Sequence, residues 1–308
     1  MDINKNLRKI IELVFMSALV SLIIFSSNIS LLILGMGPIL LSIYVFKNGL
    51  VDFILLGITS LIFGLLYMSL SEASMLMGVI FLIALIFCLP IKYIKSDKIQ
   101  IIISFIFVSL LLIGFYTYGL MKENTNLDSL ARELKAIVET SIDYKMDIEI
   151  YRTSLSLYPA IFTFFSFIYT LISIKLIRNY ISMKIEGFSD LTKINELRIT
   201  YKDFVFIGLI CILAYGLSYL LRLNMTYASL NIIAIFLELL AFNGLSLYDF
   251  LISRSNIPLS RGFQWFFVII LIQFLLIFFV ILGFLDIILD IRKKRSLNEK
   301  QWWVCRIK

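Results

Sequence analysis

Histidine does not occur among the 308 residues of this chain. That absence removes imidazole acid–base catalysis, a Ser-His-Asp triad, HExxH zinc chemistry and His-ligated haem. Cysteine is scarce as well. Cys88, Cys211 and Cys305 lie far apart and no CxxC occurs, so neither a disulfide framework nor a thiolate metal site is indicated. Charged residues make up only 16%, against roughly 25% in soluble proteins. There is no P-loop, no GxGxxG after a strand and no GxSxG. The inventory of nucleophiles, bases and metal ligands is too thin to read the chain as an enzyme, and no cofactor is expected.

What the chain has in excess is apolar surface. Apolar residues reach 60% and the mean hydropathy is +0.97. A spanning helix takes about 20 apolar residues. Apolar runs occur at 10–27, 29–46, 50–70, 74–94, 99–120, 157–177, 204–221, 225–253 and 264–290. The pattern predicts an all-α, polytopic membrane helix bundle of eight to nine membrane segments. The first two runs are separated by little more than Ser27-Asn28. Gly35-Met36-Gly37-Pro38 falls within the second and predicts a break there, which protein or a water-filled cavity must cover. Asn243-Gly244 interrupts the overlong eighth run, which makes that run the candidate for re-entering the membrane instead of crossing it. Small residues at helical spacing (Ser17 and Ser21, Gly57, Ser60 and Gly64, Ser74 and Gly78, Ala214 and Ser218) let helices approach closely.

The longest polar stretch, 121–156, holds seven acids and five bases. Leu127, Leu130, Leu134, Ile137, Val138, Ser141 and Ile142 follow helical spacing, with Thr125 and Asp128 at the start. This predicts one amphipathic extracytoplasmic helix. A second polar stretch, 178–203, reads as a connector. The expected organisation is an N-terminal five-segment membrane half (1–120), the amphipathic region (121–156), a C-terminal membrane half (157–291) and a basic tail (292–308).

Basic residues in short loops mark the cytoplasmic side. Lys5, Arg8 and Lys9, then Lys47, then Lys92, Lys95 and Lys98, then Arg178 and Lys184, then Arg254 and Arg261 fall on one side; Glu72, the acidic helix and Arg222 fall on the other. The N-terminus is therefore expected in the cytoplasm, in a bacterial plasma membrane. The tail from Arg292 onward has seven bases against one acid, Glu299. It reads as a topology anchor, with Arg292, Lys293, Lys294 and Arg295 available to anionic lipid headgroups or a partner. No nucleic-acid module accompanies this charge. Nine crossings would put the tail outside; an even number would not.

Glu238 stands in the middle of a run without charge from Met225 to Tyr248. A carboxyl at that depth is a functional-site hypothesis by default. At 100° per residue, Asn231 and Asp249 project within about 20° of it, so the three form one polar stripe expected to face the bundle interior. Gln273 in the last run and Arg222 are candidate partners. The stripe reads either as a ligand or proton position or as a packing device. Asp286 and Asp290 form a D-x-x-x-D that could hold Mg²⁺, but the accompanying phosphotransferase motifs are missing, and Asp290 has Lys293 and Lys294 within pairing distance along the chain.

Leu230-Asn231, Phe242-Asn243-Gly244-Leu245, and Leu282-Gly283-Phe284-Leu285-Asp286 running into Asp290-Ile291-Arg292-Lys293-Lys294 resemble the YybS-type family of bacterial integral membrane proteins. Pro159-Ala160 opening the sixth run looks like that family too. Asn243 stands where many members have Gln. Arg198 precedes the seventh run, without the family's proline. The resemblance implies a class of membrane protein and no biochemical activity. Ser17-Ala18-Leu19-Val20-Ser21, Lys47-Asn48-Gly49 and the stretch from Gly57 to Gly64 are similar to the first helices of the substrate-binding S subunits of energy-coupling-factor transporters. The function these features imply is a small-molecule-binding or transport-associated subunit in the lipid bilayer, lacking its own ATPase and working with another membrane protein or an ATPase module. The alternative is a scaffold organising envelope partners through the basic tail and the amphipathic helix.

Overall fold

The structure, a computed structural model, describes residues 3–25, 31–123, 125–141, 146–185, 188–191, 193–254 and 260–293. They form α1 (Ile3–Phe25), α2 (Leu31–Asn48), α3 (Leu50–Gly64), α4 (Leu70–Tyr93), α5 (Asp97–Lys122), α6 (Leu127–Ser141), α7 (Ile148–Ser156), α8 (Tyr158–Ser182), α9 (Tyr201–Leu220), α10 (Met225–Ile252) and α11 (Arg261–Leu289). No strand occurs among the described residues. The Ser27-Asn28 connection lies outside them.

Helix starts follow local chemistry. Ser69 with Glu72 and Thr200 with Asp203 close capping boxes on α4 and α9, and Asn224 accepts from the Thr226 and Tyr227 amides at the start of α10. Among the described residues, five helical stretches are long and apolar enough to cross a membrane: Leu70–Tyr93, Asp97–Lys122, Ile148–Ser182, Tyr201–Leu220 and Met225–Ile252. Leu50–Gly64 and the Phe274–Leu289 part of α11 are shorter apolar helical stretches. The chain is a multi-pass, all-helical integral membrane protein.

Two expected interruptions are continuous helix instead. α2 runs unbroken through Pro38. The proline ring removes the amide that would serve the Leu34 carbonyl, and hydroxyl bonds to neighbouring helices brace the turns on either side. Tyr169 Oη donates to the Gly35 carbonyl at 2.8 Å, and Ser42 Oγ lies 2.6 Å from the Pro38 carbonyl and 2.9 Å from that of Ala84. α10 likewise passes through Asn243-Gly244 without a break, so it is not the segment that turns back.

The chain divides into two compact units, residues 1–116 with 165–191 and residues 117–164 with 192–308. In the first, α1 to α4 share a core that includes Val20, Ile24, Leu41, Phe53, Leu56 and Met77. Serine hydroxyls tie its helices together: Ser17 bonds Thr59 at 2.5 Å and Ser21 donates to the Ser60 carbonyl at 2.9 Å. Lys9–Asp52 (2.8 Å) and Lys47–Glu12 (2.6 Å) gather the α1 start, the α2 end and the α3 start at one end of that bundle. In the same unit Arg178 is buried. It binds Asp97 and Gln100 of α5 and reaches the Ser189 and Asp190 carbonyls of the following connector at 2.9 and 3.1 Å.

In the second unit α6 turns Leu127, Leu130, Ala131, Leu134 and Val138 inward, while Asp128, Arg132 and Glu133 are exposed. Ile137, expected on the apolar face, is exposed. Arg152 of α7 pairs with Asp128 of α6 at 2.6 Å. α10 and α11 meet at two glycines. A Cβ on Gly244 would fall onto the Phe279 carbonyl oxygen, and one on Gly283 onto that of Leu240. Only residues without a side chain permit backbones this close.

α11 does not run straight. At 1.5 Å per residue, a straight helix would hold Trp265 and Gly283 about 27 Å apart. Yet Trp265 bonds Asp249, Gly283 packs on Leu240 and Gly244, and Arg292 just past the helix end reaches Asn243 and Ser246. α11 is therefore curved, and its contacts advance along α10 in antiparallel order, from Asp249 at Trp265 to Leu240 at Gly283.

Candidate functional site

α10 carries the polar side chains singled out by the sequence, and the structure divides them into two kinds. Asn231 is buried and fully engaged. Its Oδ1 accepts from the Ala160 amide at 3.0 Å, and its Nδ2 donates to the Ser156 carbonyl at 2.7 Å and the Tyr227 carbonyl at 2.9 Å. Ala160 is in the first turn of α8 and Ser156 in the last turn of α7, where backbone groups lack helical partners. Asn231 fills both needs and fastens α10 to the α7–α8 junction. Asp249 is 2% exposed and accepts from Trp265 Nε1 at 2.8 Å, so it holds the first turns of α11.

Glu238, between them on the same face, is different. It is half-buried and makes no hydrogen bond or ion pair among the described residues. Arg222 does not serve it, because Arg222 lies on the turn before α10 and Glu238 follows Met225 by 13 residues, about 20 Å along the helix. Gln273 belongs to α11, but its side chain lies outside the described residues.

A second cluster gathers at the other end of α10. Asn243, wholly buried, accepts from the Ile199 amide at 2.9 Å and donates to the Gly283 carbonyl at 2.9 Å. Ser246 Oγ lies 2.6 Å from the Leu197 carbonyl. Arg292 enters this cluster from beyond α11. Its Nη1 donates to the carbonyls of Asn195 and Leu197 and to Ser246 Oγ, its Nη2 to the carbonyl and Oδ1 of Asn243, and its Nε lies 3.0 Å from Asp286 Oδ2. Burial pushes the Arg292 guanidinium below its ordinary pKa, and the Asp286 carboxylate opposes that shift.

This placement corrects two expectations. Arg292 is 5% exposed and points into protein, so it is not a headgroup contact of a solvated tail. Its planar fork found five oxygen acceptors that no lipid surface had to provide. Asp290, expected beside the lysines, pairs with Arg198. Asp286 and Asp290 thus go to two different arginines and do not converge on a metal; no metal-ligating group of three or more acids or thiols occurs among the described residues. Lys293 is exposed, while Lys294 and Arg295 lie outside the described residues.

The sequence pattern marks Asn243 as an interruption and does not single out Ser246, because they sit about 120° and 60° around the helix from Asn231, off the polar stripe. Their signal was a buried amide and hydroxyl near the glycine that meets α11. No family model, no curated protein and no solved structure matches the chain.

Proposed function

We propose that this protein binds a small polar or cationic molecule at Glu238, as a transport-associated membrane subunit that relies on a partner for energy. One observation carries the reading. Asn231, Asn243 and Asp249 on α10 all have internal partners, and Glu238, at mid-helix, has none among the described residues. A carboxyl at membrane depth without a partner is costly, and an exchangeable cation, proton or polar ligand offsets that cost. Asn231 and Asp249 are then structural, and the ligand-binding role contracts from a stripe to one residue.

The topology that goes with this reading has eight crossings. α1 to α5 and α8 to α10 cross, α6 and α7 lie on the outer surface, and α11 does not complete a crossing. The loop charges support an even count, which keeps both termini and the basic tail in the cytoplasm.

The test is native mass spectrometry of the full chain purified in mild detergent, wild type beside Glu238→Gln. The expected result is a small molecule retained by the wild type and lost from the variant, with both unfolding at similar temperatures. Equal retention by both would remove Glu238 from the binding role. Deleting 293–308 should leave retention unchanged; loss on that deletion would favour the scaffold reading.

A further inference from the structure

We infer that the turn between α9 and α10 is a phosphate-binding position, occupied by a lipid headgroup of the outer leaflet with Arg222 as its cation. Tyr219, Leu220, Arg222, Leu223 and Met225 line a concave site of about 450 Å³. The turn joins two helices that are each apolar enough to cross a membrane, so it lies at bilayer-surface depth, where lipid phosphates are found.

The backbone shows that the side chain is kept at some expense. The Leu223 amide bonds the Ser218 carbonyl at 3.0 Å and the Arg222 amide the Tyr219 carbonyl at 3.1 Å. This is the Schellman arrangement, whose left-handed position is usually glycine. Here that position is Arg222, at φ 55°, a conformation that costs any residue with a Cβ. Charge placement points the same way. Among the short loops on the outer side, this turn alone carries a base, against the tendency of arginine to stay in the cytoplasm. Arg222 is exposed and makes no side-chain hydrogen bond or ion pair among the described residues, so nothing internal explains it.

The chemistry of the lining fits a phosphodiester. A guanidinium fork matches two phosphate oxygens, and the exposed Tyr219 hydroxyl is a further donor at the level where tyrosine is favoured. Leu220 and Leu223, 75% and 53% exposed, offer apolar surface to the glycerol and upper acyl carbons. Asn224 occupies the Thr226 and Tyr227 amides at the start of α10, which leaves recognition of the charge to Arg222. Free inorganic phosphate shares this chemistry, but it has no use for the leucines.

The experiment titrates the detergent-purified full chain with phosphatidylglycerol, with diacylglycerol and with inorganic phosphate, reading bound mass by native mass spectrometry. The variants are Arg222→Gly and Arg222→Lys. The wild type should bind phosphatidylglycerol saturably and bind neither of the other two. Arg222→Gly should lose affinity by about tenfold or more, as expected for a charged hydrogen-bonded contact, while melting at the same or a higher temperature because glycine suits the turn. Arg222→Lys should restore part of the affinity. Unchanged lipid binding in Arg222→Gly would overturn the assignment, as would binding of inorganic phosphate in preference to the lipid, or equal uptake of diacylglycerol.

Discussion

Arg292 Nε lies 3.0 Å from Asp286 Oδ2, with the two side chains 5% and 2% exposed. The other guanidinium nitrogens engage Asn195, Leu197, Asn243 and Ser246. One residue just past α11 therefore joins the α8–α9 connector, α10 and α11. Removing one member of a buried pair strands the other charge, at a cost of about 3–5 kcal/mol. Arg292→Ala should destabilise the protein by that order in thermal unfolding, and Arg292→Lys should rescue little, because an ammonium cannot reproduce the planar fork. The paired change Arg292→Leu with Asp286→Leu should recover much of the loss. If Arg292→Ala melts like the wild type, the residue belongs to a solvated tail after all.

The α10–α11 contact makes a sharper steric prediction. Gly244→Ala or Gly283→Ala drives a methyl into a backbone carbonyl oxygen, which packed helices relieve only by separating; overpacking of this kind costs about 1–3 kcal/mol or more. Gly114→Ala, with nothing near its added Cβ, should gain up to about 1 kcal/mol from helix propensity. Opposite signs in a melting series verify the contact. Equal effects at the three sites would contradict it.

The proposed eight-crossing topology predicts which residues share a side. In a background with Cys88, Cys211 and Cys305 replaced, single cysteines at Arg222, Arg254 and Lys293 are tested with a membrane-impermeant maleimide on intact cells. Arg222→Cys should be labelled at once, and Arg254→Cys and Lys293→Cys only after permeabilisation. Labelling at Lys293 with protection at Arg254 would mean that α11 crosses.

The helices were legible in the sequence because runs of about 20 apolar residues are specified by composition alone. The bend in α11 was not, since no proline or glycine stands between Phe263 and Leu282; long-range contacts from Trp265, Gly283 and Arg292 reveal it. The two apparent breaks misled for one physical reason. Pro38 and Asn243-Gly244 are read from sequence as interruptions, but hydroxyl bonds beside Pro38 and the close approach of α11 at Gly244 hold the helices through them. Glu238 was legible as a candidate because a lone acid in an apolar run is rare. That Asn231 and Asp249 were already bound depended on Ala160, Ser156 and Trp265, which are remote in sequence.

Turnover of the Asp249–Trp265 contact offers a fluorescence check. Asp249→Asn retains an acceptor oxygen for the indole and should lower stability only slightly, within about 1 kcal/mol. Asp249→Leu should strand the Trp265 N–H, shift indole emission and destabilise by about 1–3 kcal/mol. Identical emission in both variants would show that the bond is not made.

Glu238 is tested most directly by a lipid-soluble carbodiimide applied to native membranes, followed by peptide mass analysis. An unpartnered carboxyl at membrane depth should be modified to an acylurea, and Glu238→Gln should abolish that adduct. Asp249 and Asp286, held by Trp265 and Arg292, should stay unmodified. An adduct pattern that spares Glu238 while marking Asp249 or Asp286 would contradict the assignment of this residue as the open binding position.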